Sequence, residues 1–145
     1  MRSDRPITIL LIEDSATDVQ ITRRALRRWS VPCSLYVARD GEEGLEFLHR
    51  RGRYEGAPRP NIILLDLNLP KLSGHDVLKQ IKADEELRRI PVVMFTASQD
   101  EADISTSYDL GVNAYMCKSE DPDTAQTRLG ALEEYWLSAA QLPQS

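Results

Sequence analysis

Runs of apolar residues rich in β-branched side chains alternate along the chain with stretches whose apolar positions recur every three or four residues. The runs cover 7–12, 33–38, 61–65, 91–95 and 114–117. The first, third and fourth are apolar without period-two alternation, the pattern of central parallel strands covered on both faces. Pro91 falls at the first position of its run, where a missing N–H is tolerated.

The stretches between them predict helices. Residues 15–29 place Ile21, Ala25 and Trp29 on one stripe and most of the arginines off it. Residues 41–51 follow Asp40, an N-cap residue, and carry Leu45 and Leu48. Residues 74–83 follow Ser73 and offer Val77, Leu78 and Ile81. Residues 100–110 end at Gly111, a helix-terminating C′ residue. The last helix opens Asp121-Pro122, an N-cap with proline at the first helical position, and continues Ala125, Leu129, Leu132, Trp136 and Ala140. Five strands alternating with five helices predict an α/β fold with a parallel sheet and right-handed crossovers. The stretch 50–60, with two glycines and two prolines, reads as a surface loop.

A chain of 145 residues fits one domain with one well-buried core, and no linker leads to a second. The net charge of -5 weighs against a nucleic-acid surface, which demands a basic patch. Arg23, Arg24, Arg27 and Arg28 do cluster, and read as a solvated helix face. Cys33 and Cys117 make no metal or redox spacing and are expected to be buried, reduced thiols. The N-terminal apolar run stops at Glu13, too short for a signal peptide or a membrane span, so a cytoplasmic protein is the default. His49 and His75 read as surface residues of amphipathic helices, and Trp29 and Trp136 as packing residues.

Open α/β sheets bind ligands beyond the C-terminal ends of their strands. Glu13-Asp14 closes the first predicted strand, Asp66 the third, Thr96 the fourth and Lys118 the fifth. Each alone has a bland account: Asp14 as a helix cap, Thr96 as a turn hydroxyl, Lys118 as a surface lysine. Asp66 is harder to dismiss, because a carboxylate ending the run Ile62-Ile63-Leu64-Leu65 needs a partner to offset its desolvation. Three carboxylates converging on one pocket repel one another and call for a divalent cation, and oxygen ligands suit Mg²⁺. With a lysine at the rim to meet a phosphoryl oxygen, Asp66 has the surroundings of a nucleophile for phosphoryl transfer.

The stretches Leu10 to Asp14, Asp40 to Leu45, Asp66 to Gly74, Ile90 to Ala97 and Gly111 to Lys118 together resemble the receiver domain of two-component response regulators, over almost the whole chain. The resemblance implies a flavodoxin-like doubly wound five-stranded parallel sheet of order 2-1-3-4-5 with five helices. It implies one receiver domain over 1–145, with a core over about 6–137, a C-terminal extension over 138–145 and no output domain. It further implies that Asp66 accepts phosphate from a histidine kinase. Glu13, Asp14, Asp66 and the backbone carbonyl of Asn68 would hold Mg²⁺, with Mn²⁺ a possible substitute. Lys118 would contact the phosphoryl group, while Thr96 and Tyr115 form the switch.

Receivers commonly follow this lysine with proline in a cis bond, whereas here Ser119 follows. Lys118-Ser119, the stretch Arg59 to Lys71 and the ending Glu134-Tyr135-Trp136-Leu137 through Leu142-Pro143 are similar to single-domain regulators paired with bacterial phytochromes. That subgroup implies a phytochrome kinase as partner and a homodimer with Tyr135, Trp136 and Leu137 at its contact, signalling through protein contacts without turnover catalysis. Three adjacent large apolar side chains on a helix point in different directions, so one domain can hardly bury all of them.

Three rivals compete. A haloacid-dehalogenase-type phosphatase needs a second acid two residues after its nucleophile, where Asn68 stands. A flavodoxin-like cofactor binder needs a phosphate loop rich in Ser, Thr and Gly, where Glu13-Asp14 stands. A phosphorylation-independent interaction module with a receiver fold is favoured only by Ser119.

Overall fold

The computed structural model describes residues 6–139. Five strands, β1 (Ile7–Ile12), β2 (Cys33–Ala38), β3 (Ile62–Leu65), β4 (Val92–Thr96) and β5 (Ala114–Cys117), form one parallel sheet of order β2-β1-β3-β4-β5. Five α-helices link and follow them: α1 (Ala16–Arg27), α2 (Gly41–His49), α3 (Gly74–Ala83), α4 (Glu101–Asp109) and α5 (Pro122–Glu133). This is the flavodoxin-like receiver fold that the resemblance implied.

The strands split the apolar residues between two cores by simple alternation. Ile7, Ile9 and Leu11 of β1 face α1 and α5, in a cluster with Val19, Leu26, Trp29, Leu129 and Leu132. Leu10 and Ile12 face the other side, with Leu45, Leu48, Val77, Leu78 and Ile81 of α2 and α3. Ile62 to Leu65 of β3 are wholly buried, which is why that run shows no polar alternation. β2, an edge strand, alternates half-buried and exposed positions from Cys33 to Val37.

The helix starts follow from local chemistry. Ser15, Asp40, Ser73, Asp100 and Asp121 each stand one residue before a helix, with the side chain accepting a first-turn N–H. Ser15 takes the capping role at α1, leaving the Asp14 carboxylate free of it. Gly111 follows α4 at φ +97°, the left-handed conformation expected of a C′ glycine.

Several expectations need correction. Cys33 and Cys117 are free but only half-buried, because both lie on edge strands with one uncovered side. Burial and the nearby Glu133 charge still push the Cys33 thiol up to about 11. The stripe on α1 is Val19, Thr22, Ala25 and Leu26 leading to buried Trp29, with Ile21 only half-buried at its margin. His75 is no plain surface residue: its Nε2 lies 2.9 Å from the Oγ of fully buried Ser107 on α4. The loop 50–60 contains a 3-10 turn at Gly52–Tyr54. Past α5 the chain continues in a π-helical segment, Glu134–Ala139, where Tyr135 is exposed and Trp136 packs half-buried against the α1/α5 core. The Leu137 side chain and the pair Leu142-Pro143 lie outside the described residues. Among the described residues no helix is long and apolar enough to cross a membrane.

Candidate phosphoryl-transfer site

Parallel pairing brings the C-terminal ends of β1, β3, β4 and β5 to one rim of the sheet. The Asp66 N–H donates to the Ile12 carbonyl at 3.0 Å, fixing the residue after β3 beside the end of β1. The Lys118 N–H donates to the Thr96 carbonyl at 2.8 Å and ties the end of β5 to β4. Leu67 tucks into the α2/α3 core just beyond Asp66, and the Gly74 N–H closes the loop by donating to the Leu67 carbonyl at 2.8 Å.

Glu13, Asp14 and Asp66 each bring a carboxylate oxygen to within 4.8 Å of the others; Glu13 and Asp66 are buried, Asp14 exposed. Lys118 reaches into this cluster from the opposite edge. Its Nζ lies 2.5 Å from Glu13 Oε1, 2.8 Å from Asp18 Oδ2 and 3.0 Å from Asp66 Oδ2. Burial pulls the Lys118 pKa down, but hydrogen bonds to Asp18 and Glu13 and the charge of Asp66 outweigh it, and the ammonium is held above its ordinary value. Burial pushes the Glu13 carboxyl up to about 7, against the opposing pull of Lys118. Glu13 Oε2 accepts the Ser15 N–H, and buried Oε1 faces the ammonium at 2.5 Å.

The cluster fits a hard divalent cation. It offers oxygen ligands from three carboxylates whose oxygens converge within 4.8 Å, one of them open to solvent. A single lysine cannot neutralise all of these charges.

Thr96 is fully buried at the end of β4, and its Oγ1 accepts the Ser98 N–H at 3.4 Å. The Tyr115 hydroxyl donates to the Ser98 carbonyl at 3.0 Å, and Ser98 Oγ donates to Asp103 Oδ2 on α4 at 2.6 Å. Ser98 therefore connects Thr96, Tyr115 and α4. Asn68, exposed beyond Asp66, turns its N–H toward Asp66 Oδ1 at 3.4 Å. No cis peptide occurs among the described residues, so Lys118-Ser119 is trans. Arg128 of α5 anchors that turn, donating to the Cys117 carbonyl at 2.7 Å and the Lys118 carbonyl at 3.4 Å.

Sequence reasoning missed Asp18, Ser98 and Arg128. Asp18 stands three residues after the N-cap Ser15, so its spacing reads as first-turn helix capping and gives no hint of a partner one hundred residues away. Tyr135 and Trp136 lie past the end of α5, with Trp136 packed on the α1/α5 core.

Residues 9–129 match the family model of the response regulator receiver domain. The chain is 43% identical to response regulator Rcp1 of Synechocystis over 141 residues, 97% of this chain and 96% of that protein. The structure of the Mn(2+)-bound form of Rcp1 superposes with a TM-score of 0.90 at 42% identity, covering 96% of this chain and all of that one. The phosphorylated cyanobacterial phytochrome response regulator RcpA gives a TM-score of 0.91 at 44% identity, over 95% and 99% of the two chains. The bacteriophytochrome response regulator AtBRR gives 0.76 at 39% identity, over 97% and 99%.

Proposed function

The chain belongs to the response regulator receiver family, and from that premise we propose that it takes a phosphoryl group on Asp66 from a sensor histidine kinase. The observation that carries this reading is the seat of Asp66: a buried carboxylate at a strand end, 3.0 Å from a lysine ammonium and crowded by two further acids. An Asp66 oxygen attacks the phosphorus, the bond from phosphorus to the donor atom breaks, and the donor leaves with its electron pair. Positioning and charge neutralisation supply most of the catalysis in such a transfer. Mg²⁺ held by Glu13, Asp14, Asp66 and the Asn68 carbonyl would supply positive charge against the crowded acids and the phosphoryl oxygens, and Mn²⁺ could replace it. Lys118 meets the phosphoryl group from the β5 side. Thr96 and Tyr115 carry the change outward through Ser98, which already touches α4.

Receiver proteins are signalling proteins, and this one acts as a phosphoacceptor with no turnover catalysis of its own. We place it in the cytoplasm as a single receiver domain that signals through protein contacts, with a bacterial phytochrome as its kinase. The likeness to RcpA and AtBRR supports that pairing. Ser119, the one feature that favoured a phosphorylation-independent module, leaves Lys118 seated on Asp66.

The direct test is incubation with acetyl phosphate and Mg²⁺, followed by intact mass. One acid-labile phosphoryl group is expected on the parent protein, none on Asp66→Asn, and none on the parent in excess EDTA. Labelling of Asp66→Asn to the parent's extent would overturn the assignment.

The proposal extends to a homodimer through Tyr135, Trp136 and Leu137. Tyr135 is 60% exposed and meets the half-buried Trp136 edge-on, with ring centroids 5.2 Å apart, so an exposed aromatic side chain stands beside the core. Light scattering at tens of micromolar should show a dimer for the full chain and a monomer for a chain ending at Glu134. A monomeric full chain, or a truncation that stays dimeric, excludes this contact.

A further inference from the structure

Lys118 is shared among three carboxylates, and one of them has no part in the acid cluster. Glu13 and Asp66 belong to the group whose oxygens converge within 4.8 Å; Asp18 does not. Asp18 projects from the first turn of α1, and its Oδ2 accepts a hydrogen bond from Lys118 Nζ at 2.8 Å. That contact is shorter than the 3.0 Å between the ammonium and Asp66. The Asp18 backbone is fixed on both sides: its N–H donates to Ser15 Oγ at 3.2 Å, and its carbonyl accepts from the buried Thr22 hydroxyl at 2.8 Å. A half-buried carboxylate on a pinned backbone is a stationary anchor for the ammonium.

We infer that Asp18 is a positioning residue for Lys118, competing with the phosphoryl group for the ammonium and so setting how tightly the loaded pocket closes. The inference rests on the reading of Asp66 as phosphoacceptor. Once Asp66 carries a phosphoryl group, the phosphoryl oxygens and Asp18 draw on the same ammonium. The ammonium has three donors, and all three face carboxylates before transfer. Whatever attraction Asp18 exerts must be given up, or shared, on loading. Removing its charge leaves Lys118 to the phosphoryl group.

The test is an equilibrium measurement that needs no chemical step. Beryllium trifluoride, a phosphoryl mimic, is titrated into the protein at saturating Mg²⁺, and Mg²⁺ alone is titrated separately, for the parent, Asp18→Asn, Lys118→Ala and the double variant. Asp18→Asn should bind beryllium trifluoride about threefold to tenfold more tightly, the scale of one unit charge at partly screened separation. Its Mg²⁺ affinity should stay within about twofold of the parent, since Asp18 is not among the convergent acids Glu13, Asp14 and Asp66. In the Lys118→Ala background the same substitution should change beryllium trifluoride binding by less than about twofold, because the competition acts through the ammonium. Unchanged beryllium trifluoride binding in Asp18→Asn reduces the contact to a structural ion pair and overturns the inference. A tenfold loss of Mg²⁺ affinity makes Asp18 a metal ligand and overturns it likewise, as does a full effect persisting without Lys118. A parent protein that binds neither beryllium trifluoride nor a phosphoryl group removes the phosphoacceptor reading, and this inference falls with it.

Discussion

Gly74 shows how one residue without a side chain shapes the site. A Cβ there would lie 2.3 Å from the Asp66 carbonyl oxygen and 2.7 Å from the Leu67 Cα, both backbone atoms that cannot swing aside. The first turn of α3 therefore packs directly on the main chain that carries Asp66, and its N–H closes the loop on the Leu67 carbonyl. Gly74→Ala must displace either α3 or the Asp66 segment, an overpacking strain of about 1–3 kcal/mol. Urea unfolding should show that loss of stability, and phosphoryl uptake measured under native conditions should fall as well, because the strained atoms belong to Asp66 itself. An alanine variant as stable as the parent and equally reactive would show that the loop has room the packing denies.

The helices are not anchored equally. α3 buries Val77, Leu78 and Ile81 against the sheet, with Gly74 at its start. α4 buries one side chain, Ser107, whose hydroxyl donates to the Asp103 carbonyl at 2.7 Å and accepts from His75. A helix with so little apolar burial opens at low free energy. Amide hydrogen exchange should accordingly find α4 far less protected than α3, and Ser107→Ala, which strands the His75 ring N–H, should widen the gap. Equal protection of the two helices would contradict this. That same looseness suits the element contacted by Ser98, the residue that links Thr96 and Tyr115 to α4. Strand runs and helix caps were legible in the sequence because each depends on neighbours within a few residues: Asp40, Ser73, Gly111 and Asp121-Pro122 all stand where local chemistry puts them. The part played by His75 was not legible, since its partner Ser107 lies thirty-two residues away on another helix. The half-burial of Cys33 and Cys117 escaped for a related reason. An apolar run does not reveal whether its strand lies at an edge of the sheet, as β2 and β5 do.

At the scale of the molecule, the pocket concentrates a charge that the fold must carry. Glu13, Asp18 and Asp66 face one ammonium, and Asp14 converges on Glu13 and Asp66, in a chain whose net charge is already -5. The three that converge were legible because they fall at strand ends, where a parallel sheet must gather them; the fourth was not, because it arrives on a helix. Like charges held in a partly buried site cost stability, and the raised pKa of Glu13, whose chief cause is burial, marks where that cost falls. The metal-free protein should therefore gain little or nothing from an intact Asp14, and Asp14→Asn should leave its melting temperature equal or higher. Bound Mg²⁺ would reverse the balance. At about a hundred times its dissociation constant a ligand bound only by the folded state adds about 2.7 kcal/mol, which for a domain of this size raises the melting temperature by several degrees. Asp14→Asn should lose most of that rise, so that the parent and variant curves cross as Mg²⁺ is added. Thermal unfolding with and without Mg²⁺ measures both halves of the claim. A variant less stable than the parent without metal, or one that keeps the full rise with it, would show that Asp14 is held for packing and not for the cation.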